Sequence, residues 1–238
     1  LAIEGASAEP FTGGHVLSRR IFIYSQDGLG LGHLRRNTNI AREILKLEPD
    51  ASVLVVADSP AAPFFMAQKG VDFLRIPTII KTGDSTWIAP NLGLSIEQTL
   101  KLRSRLIVKA YQKFRPDVVL VDHMPVGALG ELKPLLDKTR EEENPPTLYL
   151  GLRDVLDRPE VIRSVWQATG AYEYLDYYEA VLIYGSPELH DSASLYDLTE
   201  RSKRVICCNY VSLEPGPSKG YESARMSEEP LVLVMGGG

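Results

Sequence analysis

The sequence predicts an α/β protein with a doubly wound, mostly parallel, Rossmann-like sheet. Seven short apolar runs rich in β-branched residues recur along the chain, and segments with a helical apolar period separate most of them. Runs that are apolar throughout, rather than alternating with polar residues, are typical of parallel strands covered on both faces. Strands that alternate with helices in this way favour one parallel sheet between two helical layers.

The predicted strands follow the apolar runs in chain order. They are RIFIYS (20–25), SVLVVA (52–57), VDFLRI (71–76), DVVLVD (117–122), TLYLGL (147–152), AVLIYG (180–185) and RVICCN (204–209). The predicted helices are the longer segments between them, in which apolar residues recur every three or four positions. They cover residues 33–47, 60–69, 95–115, 127–142, 159–176 and 187–201.

One connection, residues 77–95, is much longer than the links between the other elements. Long loops in compact domains are often functional. This loop carries Trp87, whose ring could line a ligand pocket, touch a membrane surface or fold back onto the domain.

Composition narrows the class of protein. The net charge of −5 over 238 residues argues against general nucleic-acid binding, which normally shows a basic excess. The two cysteines, Cys207 and Cys208, are adjacent and do not form a disulfide framework, so a reduced, cytoplasmic setting is expected. No apolar run approaches the roughly 18 residues of a membrane span, although peripheral membrane contact stays open.

The chain is expected to divide into four parts. Residues 1–19 form a flexible leader, residues 20–211 the Rossmann-like domain, and residues 212–230 a linker rich in Pro, Gly, Ser and Glu. Residues 231–238, LVLVMGGG, combine a buried type of strand with a glycine turn. We therefore expect a second α/β domain to begin there and the sequence to be a fragment of a two-domain protein.

The stretch DGLGLGHLRR after the first strand predicts an anion-binding turn. Gly28, Gly30 and Gly32 allow a sharp turn and a close approach of backbone to ligand, and the helix that follows favours an anion at its start. Arg35 and Arg36 lie in the first turns of that helix, where a phosphate or carboxylate would explain them. Alternatively, the glycines only close the turn and the arginines are solvated.

His33 distinguishes this turn from a dinucleotide loop. The dinucleotide fingerprint requires a third glycine where His33 stands, because that glycine lets helix and strand pack closely. Asp58 ends the second strand, either as a ribose-binding acid or as a helix cap. A helix N-terminus disfavours imidazolium, so His33 could act as a general base, or it could only cap the turn.

Polar side chains also follow the fourth, fifth and sixth strands, at the sheet edge where open α/β sheets bind ligands. They are Asp122 and His123, Arg153 and Asp154, and Ser186 and Glu188. Together they suit binding of a ligand hydroxyl and orientation of a base, although each alone could be a turn or cap residue. The histidines are scattered without metal-ligand spacing, so we expect no metal.

Several motifs together resemble the MurG-like predicted glycosyltransferases of the GT-B fold. They are DGLGLGHLRRN, PDVVLVDHMPVG, LGLRDVLD, YGSPE and LVLVMGGG, and the likeness covers nearly the whole chain from Arg20. The string TGGH at residues 12–15 copies a MurG motif, but no strand precedes it. We therefore place His15 in the leader.

The resemblance implies that this chain is the acceptor-side, N-terminal domain of a GT-B glycosyltransferase. Such an enzyme transfers a sugar from a nucleoside-diphosphate sugar to an acceptor hydroxyl, without a metal or other cofactor, and the acceptor could be lipid- or phosphate-linked. The expected catalytic residues are His33, Asp122 and His123. The expected substrate- or phosphate-binding residues are Gly28, Gly30, Gly32, Arg35, Arg36, Arg153 and Asp154.

Two other functions remain open at this level. A nucleotide-sugar epimerase of the same fold would share the glycine turn, and a non-catalytic subunit could use the cleft only to hold a ligand. The chain alone is expected to be inactive, because most of the donor domain would be missing.

Overall fold

The computed structural model describes residues 18–26, 28, 30–62, 69–83 and 86–212. The leader up to residue 17, the linker beyond residue 212, the terminal strand and His15 lie outside this part of the chain. So does most of the helix expected at 60–69.

Within the described residues, seven strands form one sheet in the order β3-β2-β1-β6-β7-β8-β9. They are β1 (Arg20–Ser25), β2 (Ser52–Ala57), β3 (Val71–Arg75), β6 (Val118–Asp122), β7 (Thr147–Arg153), β8 (Ala180–Tyr184) and β9 (Val205–Cys207). Every neighbouring pair is parallel. The predicted Rossmann-like fold is therefore confirmed, and each predicted strand is present.

The order of the strands reverses beside β1. The chain moves outward from β1 through β2 to β3, and then returns to place β6 on the other side of β1. In open α/β sheets the ligand crevice lies outside the carboxyl ends of the strands at such a reversal. The ends of β1 and β6 are therefore the expected place for a binding site.

Helices cover both faces of the sheet. They are α1 (Gly32–Leu47), α2 (Ile96–Phe114), α3 (Lys133–Arg140), α4 (Pro159–Thr169), α5 (Ser192–Leu195) and α6 (Leu198–Arg201), with a 3₁₀ helix at Ala171–Tyr177. α2 starts at a capping box in which Ser95 and Gln98 bond reciprocally. None of the described helices is long and apolar enough to cross a membrane.

Three predicted helices are shorter than their apolar pattern, because the backbone turns left-handed inside them. Gly127 and Gly130 have φ of 80° and 89°, so α3 begins only at Lys133. Gly170, with φ of 64°, ends α4. The helix expected at 187–201 is instead a turn followed by α5 and α6, with Asp197 at φ 56° between them.

The long connection contains a hairpin that the sequence did not predict. β4 (Ile80–Thr82) pairs antiparallel with β5 (Thr86–Ile88). The base of the hairpin packs on the glycine turn, since a Cβ at Gly28 would overlap the carbonyl oxygen of Ile79. Trp87 is half-buried opposite Lys81. The hairpin thus borders the expected ligand edge.

The core has two halves, one on each face of the sheet. Phe22 and Tyr24 of β1 pack on the face covered by α2, α3 and α4, whereas Ile21 and Ile23 pack on the face covered by α1. Successive side chains of a strand point to opposite faces, so both halves draw on the same strand. This double burial explains why the strands are apolar throughout.

Candidate functional site

The first group of site residues meets where the strand order reverses. The glycine turn leaves β1 and leads into α1, which begins at Gly32, while Asp122 is the last residue of β6, the strand beside β1. His33 Nδ1 lies 2.7 Å from Asp122 Oδ2, and Arg36 Nη2 donates to Asp122 Oδ1 at 2.7 Å. Asn37 Nδ2 donates to Asp122 Oδ2 at 3.0 Å. We call these four residues the Asp122 cluster.

The Asp122 carboxyl is the buried centre of this cluster. Its side chain is inaccessible, whereas those of His33 and Arg36 are 20% and 14% exposed. Burial alone would raise the pKa of Asp122, but the hydrogen bond with His33 and the charge of Arg36 outweigh it and lower the pKa. The group is therefore a carboxylate at neutral pH.

The carboxylate determines which nitrogen of His33 carries a proton. An ionised carboxyl group can only accept hydrogen bonds, so His33 Nδ1 must donate to Asp122. Arg36 Nη2 also lies 2.8 Å from Nδ1, but two donors cannot bond to each other, so that contact is only an approach. The acceptor lone pair of the imidazole is consequently on Nε2.

His123 stands beside this pair as a neutral ring. Its ring centroid is 4.9 Å from that of His33, and its backbone is left-handed, with φ of 75°. Burial and the neighbouring His33 lower the pKa of His123 to about 3. Among the described residues its Nδ1 has no hydrogen-bond partner. The expected proximity of His33, Asp122 and His123 is therefore present.

A pocket of about 400 Å³ opens next to the cluster. Its lining includes Gly32, Arg35, Arg36, Arg153, Asp154 and Tyr184. We call it the arginine pocket. It brings together five residues that the sequence selected for substrate or phosphate binding, from α1 and from the end of β7.

Tyr184 is one of the lining residues of this pocket that the sequence did not indicate. It ends β8, and its ring lies 5.1 Å from the Arg36 guanidinium. Gly151 on β7 makes room for it, because a Cβ there would overlap the ring. In the sequence, Tyr184 looks like one more apolar residue of a buried strand, so only its position at the strand end could have indicated a role.

The glycines of the turn differ in what requires them. Gly28 is needed for packing against the backbone of the hairpin base. A Cβ at Gly32 would meet nothing within 4 Å, and Gly32 lines the arginine pocket. Gly30 lies between them, two residues before the first residue of α1. Glu188 is exposed in the turn after β8 and does not line the pocket.

Asp58 belongs to a second buried cluster. Arg103 on α2 donates to Asp58 Oδ2 at 3.0 Å and to Glu131 Oε1 at 2.8 Å, and the Tyr24 hydroxyl donates to Glu131 at 2.7 Å. We call these four residues the Arg103 network. Asp58 is fully buried and paired with an arginine, so it does not present its carboxylate to a ribose. Asp58 therefore does not support the interpretation of the glycine turn as a dinucleotide-binding loop.

No group of three or more His, Cys, Asp or Glu in the described part of the chain could hold a metal ion. The chemistry that the described site offers is that of an imidazole oriented by a carboxylate, next to a basic pocket.

Comparisons with solved structures find similar folds among glycosyltransferases. A UGT transferase from Siraitia grosvenorii in complex with UDP matches with a TM-score of 0.50 at 12% identity, over 79% of this chain and 50% of that one. UGT2 of Phytolacca americana matches with 0.52 at 13%, over 82% and 52%. A UDP-glucosyltransferase from Polygonum tinctorium that glucosylates indoxyl matches with 0.51 at 12%, over 84% and 54%.

At these identities the likeness shows only a shared fold, the Rossmann-like α/β architecture that this chain has in common with part of each of these structures. The chain spans about half the length of these structures. No protein-family model matches the chain, and no curated protein matches it in sequence.

Proposed function

We propose that this chain is the acceptor-side half of a MurG-like glycosyltransferase, which transfers a hexosyl group from a nucleoside-diphosphate sugar to an acceptor hydroxyl. The observation that carries the proposal is the hydrogen bond between His33 and Asp122 at the strand-order reversal. A base at this edge, with its tautomer set by a buried carboxylate, is what deprotonation of an alcohol requires.

The transfer step follows from that geometry. The acceptor oxygen forms a bond to the anomeric carbon while its proton passes to His33 Nε2, and Asp122 stabilises the imidazolium that results. The bond from the anomeric carbon to the diphosphate breaks, and its electron pair leaves with the nucleoside diphosphate. The sugar passes through an oxocarbenium-like transition state, as in glycoside hydrolysis. Because His123 is neutral, it adds no positive charge beside His33 that would oppose protonation of the base.

The leaving diphosphate needs positive charge but no metal under this proposal. The start of α1 at Gly32, with Gly30 before it, offers backbone N–H groups and the positive end of the helix dipole. Arg35, Arg36 and Arg153 surround the adjoining pocket. Preorganised donors of this kind stabilise developing negative charge, and Asp154 could accept a hydrogen bond from a sugar hydroxyl.

The acceptor is proposed to carry an apolar or lipid portion. Ile88 ends the hairpin beside half-buried Trp87 and is 40% exposed, and Leu92 and Leu94 on the segment that follows are 52% and 36% exposed. The hairpin base packs on the glycine turn, and we propose that this apolar surface faces the acceptor. It suits a lipid-linked acceptor in a cytoplasmic enzyme that contacts the membrane peripherally.

The nucleotide-sugar site is assigned to a second domain. The chain spans about half of its structural neighbours, one of which was solved with UDP. We propose that the donor domain begins at residues 231–238, after the linker 212–230. Under this proposal the present chain is inactive on its own.

The test measures turnover of the two-domain protein with a panel of nucleotide sugars. The readout is the release of nucleoside diphosphate. We expect His33→Ala to lower turnover at least a hundredfold, within the roughly 10²–10⁴-fold that a general base supplies, while the protein stays folded. His190→Ala, at a histidine outside the Asp122 cluster, is the matched control and should retain turnover.

Near-normal turnover of His33→Ala would reject the assignment of the base. Conversion of the sugar nucleotide to its epimer without transfer would identify an epimerase instead. Ligand binding without either reaction would identify a binding subunit.

A further inference from the structure

We infer that Arg36 and Asn37 are positioning residues, which act on the base through the Asp122 carboxylate rather than on the substrate. The sequence predicted Arg36 as a substrate- or phosphate-binding residue and did not indicate Asn37. The inference rests on the proposed function, because it adds two residues to the reaction assigned to His33. Three observations support it: the hydrogen bonds of the carboxylate, the place of the donors on α1, and the burial of an amide that is only half satisfied.

The Asp122 carboxylate has more donors than its contact with His33 requires. Its Oδ2 lies 2.7 Å from His33 Nδ1 and also accepts from Asn37 Nδ2 at 3.0 Å. Arg36 Nη2 donates to Oδ1 at 2.7 Å and to Oδ2 at 3.0 Å. Both oxygens are therefore held by donors from α1, and the carboxyl group cannot rotate away from the imidazole without breaking one of these bonds.

The donors share one side of α1. His33, Arg36 and Asn37 stand at positions i, i+3 and i+4, which are neighbours on the surface of a helix. The acceptor, Asp122, is the last residue of β6, next to the strand that leads into this helix. A helix and a strand of the central sheet therefore set the direction of the carboxylate, and sites built on such rigid elements are more precise than sites on loops.

Asn37 stands where packing alone would favour an apolar residue. It is completely buried, on the side of α1 that also buries Leu34, Ala41 and Leu45. Its amide nitrogen must face Asp122, because a carboxylate only accepts hydrogen bonds. Its Oδ1 has no hydrogen-bond partner among the described residues. Burial of a half-satisfied amide costs free energy, so the bond to Asp122 is what explains an asparagine at this position.

The Arg36 side chain is directed at the buried carboxyl group. It is 14% exposed, and its guanidinium lies 5.1 Å from the centre of the Tyr184 ring. Burial would raise the pKa of Asp122, but the hydrogen bond with His33 and the charge of Arg36 lower it. The adjacent Arg35 is exposed instead. We therefore assign different roles to the two arginines, and only Arg36 sets the state of the carboxylate.

Three other titratable groups lie near Asp122 and His123, and none of them replaces the charge of Arg36. Burial raises the pKa of Tyr184, so its phenol is neutral. Burial lowers the pKa of His123 to about 3, so this ring is neutral as well. Arg153 donates to a backbone carbonyl oxygen at 2.9 Å. Removal of Arg36 should therefore be felt directly at Asp122.

The first test observes the imidazole in this chain by nitrogen-15 NMR of histidine-labelled protein. The nitrogen shifts distinguish the two neutral tautomers, and comparison with His33→Ala identifies the His33 signals. We expect the proton on Nδ1 in the original protein at neutral pH. Asn37→Leu should add signals with the proton on Nε2, and Arg36→Met should keep the imidazolium to higher pH. Identical His33 spectra in the original protein and both variants would overturn the inference.

The second test separates kcat from KM in the two-domain protein. Asn37→Leu should lower kcat about tenfold, as for loss of one hydrogen bond to a charged group, and change KM for the nucleotide sugar less than about twofold. Arg36→Met should lower kcat about tenfold or more. The acidic limb of its pH profile should also move to higher pH, because the pKa of Asp122 rises without the cation. A substrate-binding role of Arg36 would instead raise KM and leave this limb in place.

Asn37→Ala separates positioning from packing. It lacks the donor, as Asn37→Leu does, but it also leaves a cavity and should therefore be less stable. If Asn37 positions the carboxylate, the two variants lose kcat equally despite different melting temperatures. If Asn37 only fills space, the loss of kcat follows the melting temperature, and its part of the inference is wrong. Arg42→Gln, at an exposed position of the same helix outside the pocket, is the control and should change neither kcat nor the His33 signals.

The results for this inference and for the proposed function are distinguishable. No turnover of the original two-domain protein with any nucleotide sugar would reject the proposed function alone, because the histidine spectra still report whether Arg36 and Asn37 set the state of His33. Turnover that Asn37→Leu and Arg36→Met both retain would reject this inference alone.

Discussion

The Asp122 cluster and the Arg103 network both place charged side chains in the interior near the carboxyl ends of the central strands, but they are built differently. In the Asp122 cluster the buried centre is an anion whose partners, His33 and Arg36, reach the surface. In the Arg103 network the centre is a cation, and Arg103, Asp58 and Glu131 are all completely buried.

The difference separates a structural use of buried charge from a chemical one. Arg103 links α2 to the end of β2, to Tyr24 on β1 and to Pro77 at the start of the long connection, so the network braces the base of the hairpin. The Asp122 cluster adjoins a pocket and leaves the Tyr184 hydroxyl and His123 Nδ1 unsatisfied within the described chain. Buried charge alone therefore does not mark function, whereas buried charge whose partners reach the surface beside a pocket indicates it.

The largest expected effect comes from breaking the Arg103 network. Arg103→Met would leave Asp58 and Glu131 buried without their cation, and we expect it to lower the free energy of unfolding by about 3–5 kcal/mol. Urea unfolding followed by circular dichroism measures this. Arg105→Met, at an exposed position of the same helix, is the control and should change stability by less than about 0.5 kcal/mol. An equal effect of the two variants would contradict the bracing role.

The next comparison replaces one aspartate in each cluster. Asp122→Asn removes the charge that orients His33, so turnover should fall at least about a hundredfold, while stability falls only by about 1–3 kcal/mol because Arg36 reaches solvent. Asp58→Asn should lower stability but leave the turnover of folded protein within a fewfold of the original. Kinetics of both variants, each scaled to its folded fraction, make the comparison. Equal losses of turnover would remove the functional distinction between the clusters.

The smallest expected effect is a pH dependence of the free energy of unfolding, caused by His123 beside the Asp122 cluster. The pKa of His123 is lowered to about 3 from its ordinary value of 6.5, so between these values the unfolded state binds more protons than the folded state. Stability therefore rises with pH over this window and is lost as pH falls. Between pH 7 and pH 5.5 the loss from His123 should be on the order of 1 kcal/mol.

The measurement is urea unfolding at several pH values for the original protein and for His123→Asn. Asparagine tolerates the left-handed backbone found at this position and does not titrate. We expect the difference in stability between the two proteins to change with pH by the amount attributed to His123. A difference that stays constant from pH 7 to pH 5.5 would show that His123 is not the titrating group.

The strands were predictable because of their environment. A parallel strand buried on both faces must be apolar throughout, and this leaves a continuous run such as that of β2. The helices were predictable in place but not in length, because left-handed glycines such as Gly170 do not interrupt an apolar period. The strands of the hairpin are three residues each, too short for any periodicity to indicate.

The candidate site was also predictable only in part. Residues that follow parallel strands gather at one edge, so the sequence alone placed Asp122, His123 and Arg153 on the ligand side of the sheet. It did not show that His33 and Asp122, 89 positions apart, share a hydrogen bond. Nor did it show that the Arg103 side chain is fully buried and paired with Asp58.

By itself, the sequence determined the fold class, the edge of the sheet where polar groups collect, and the histidine that replaces a glycine in the turn. These three features depend on the local residue pattern and on the direction of the strands, and both can be inferred from the sequence. Only the tertiary structure decided which charges pair, which donors remain unused, and that Tyr184 lines a basic pocket. The reason is physical: the pairing of side chains depends on distances between residues far apart in the sequence, and on how completely the fold removes them from water.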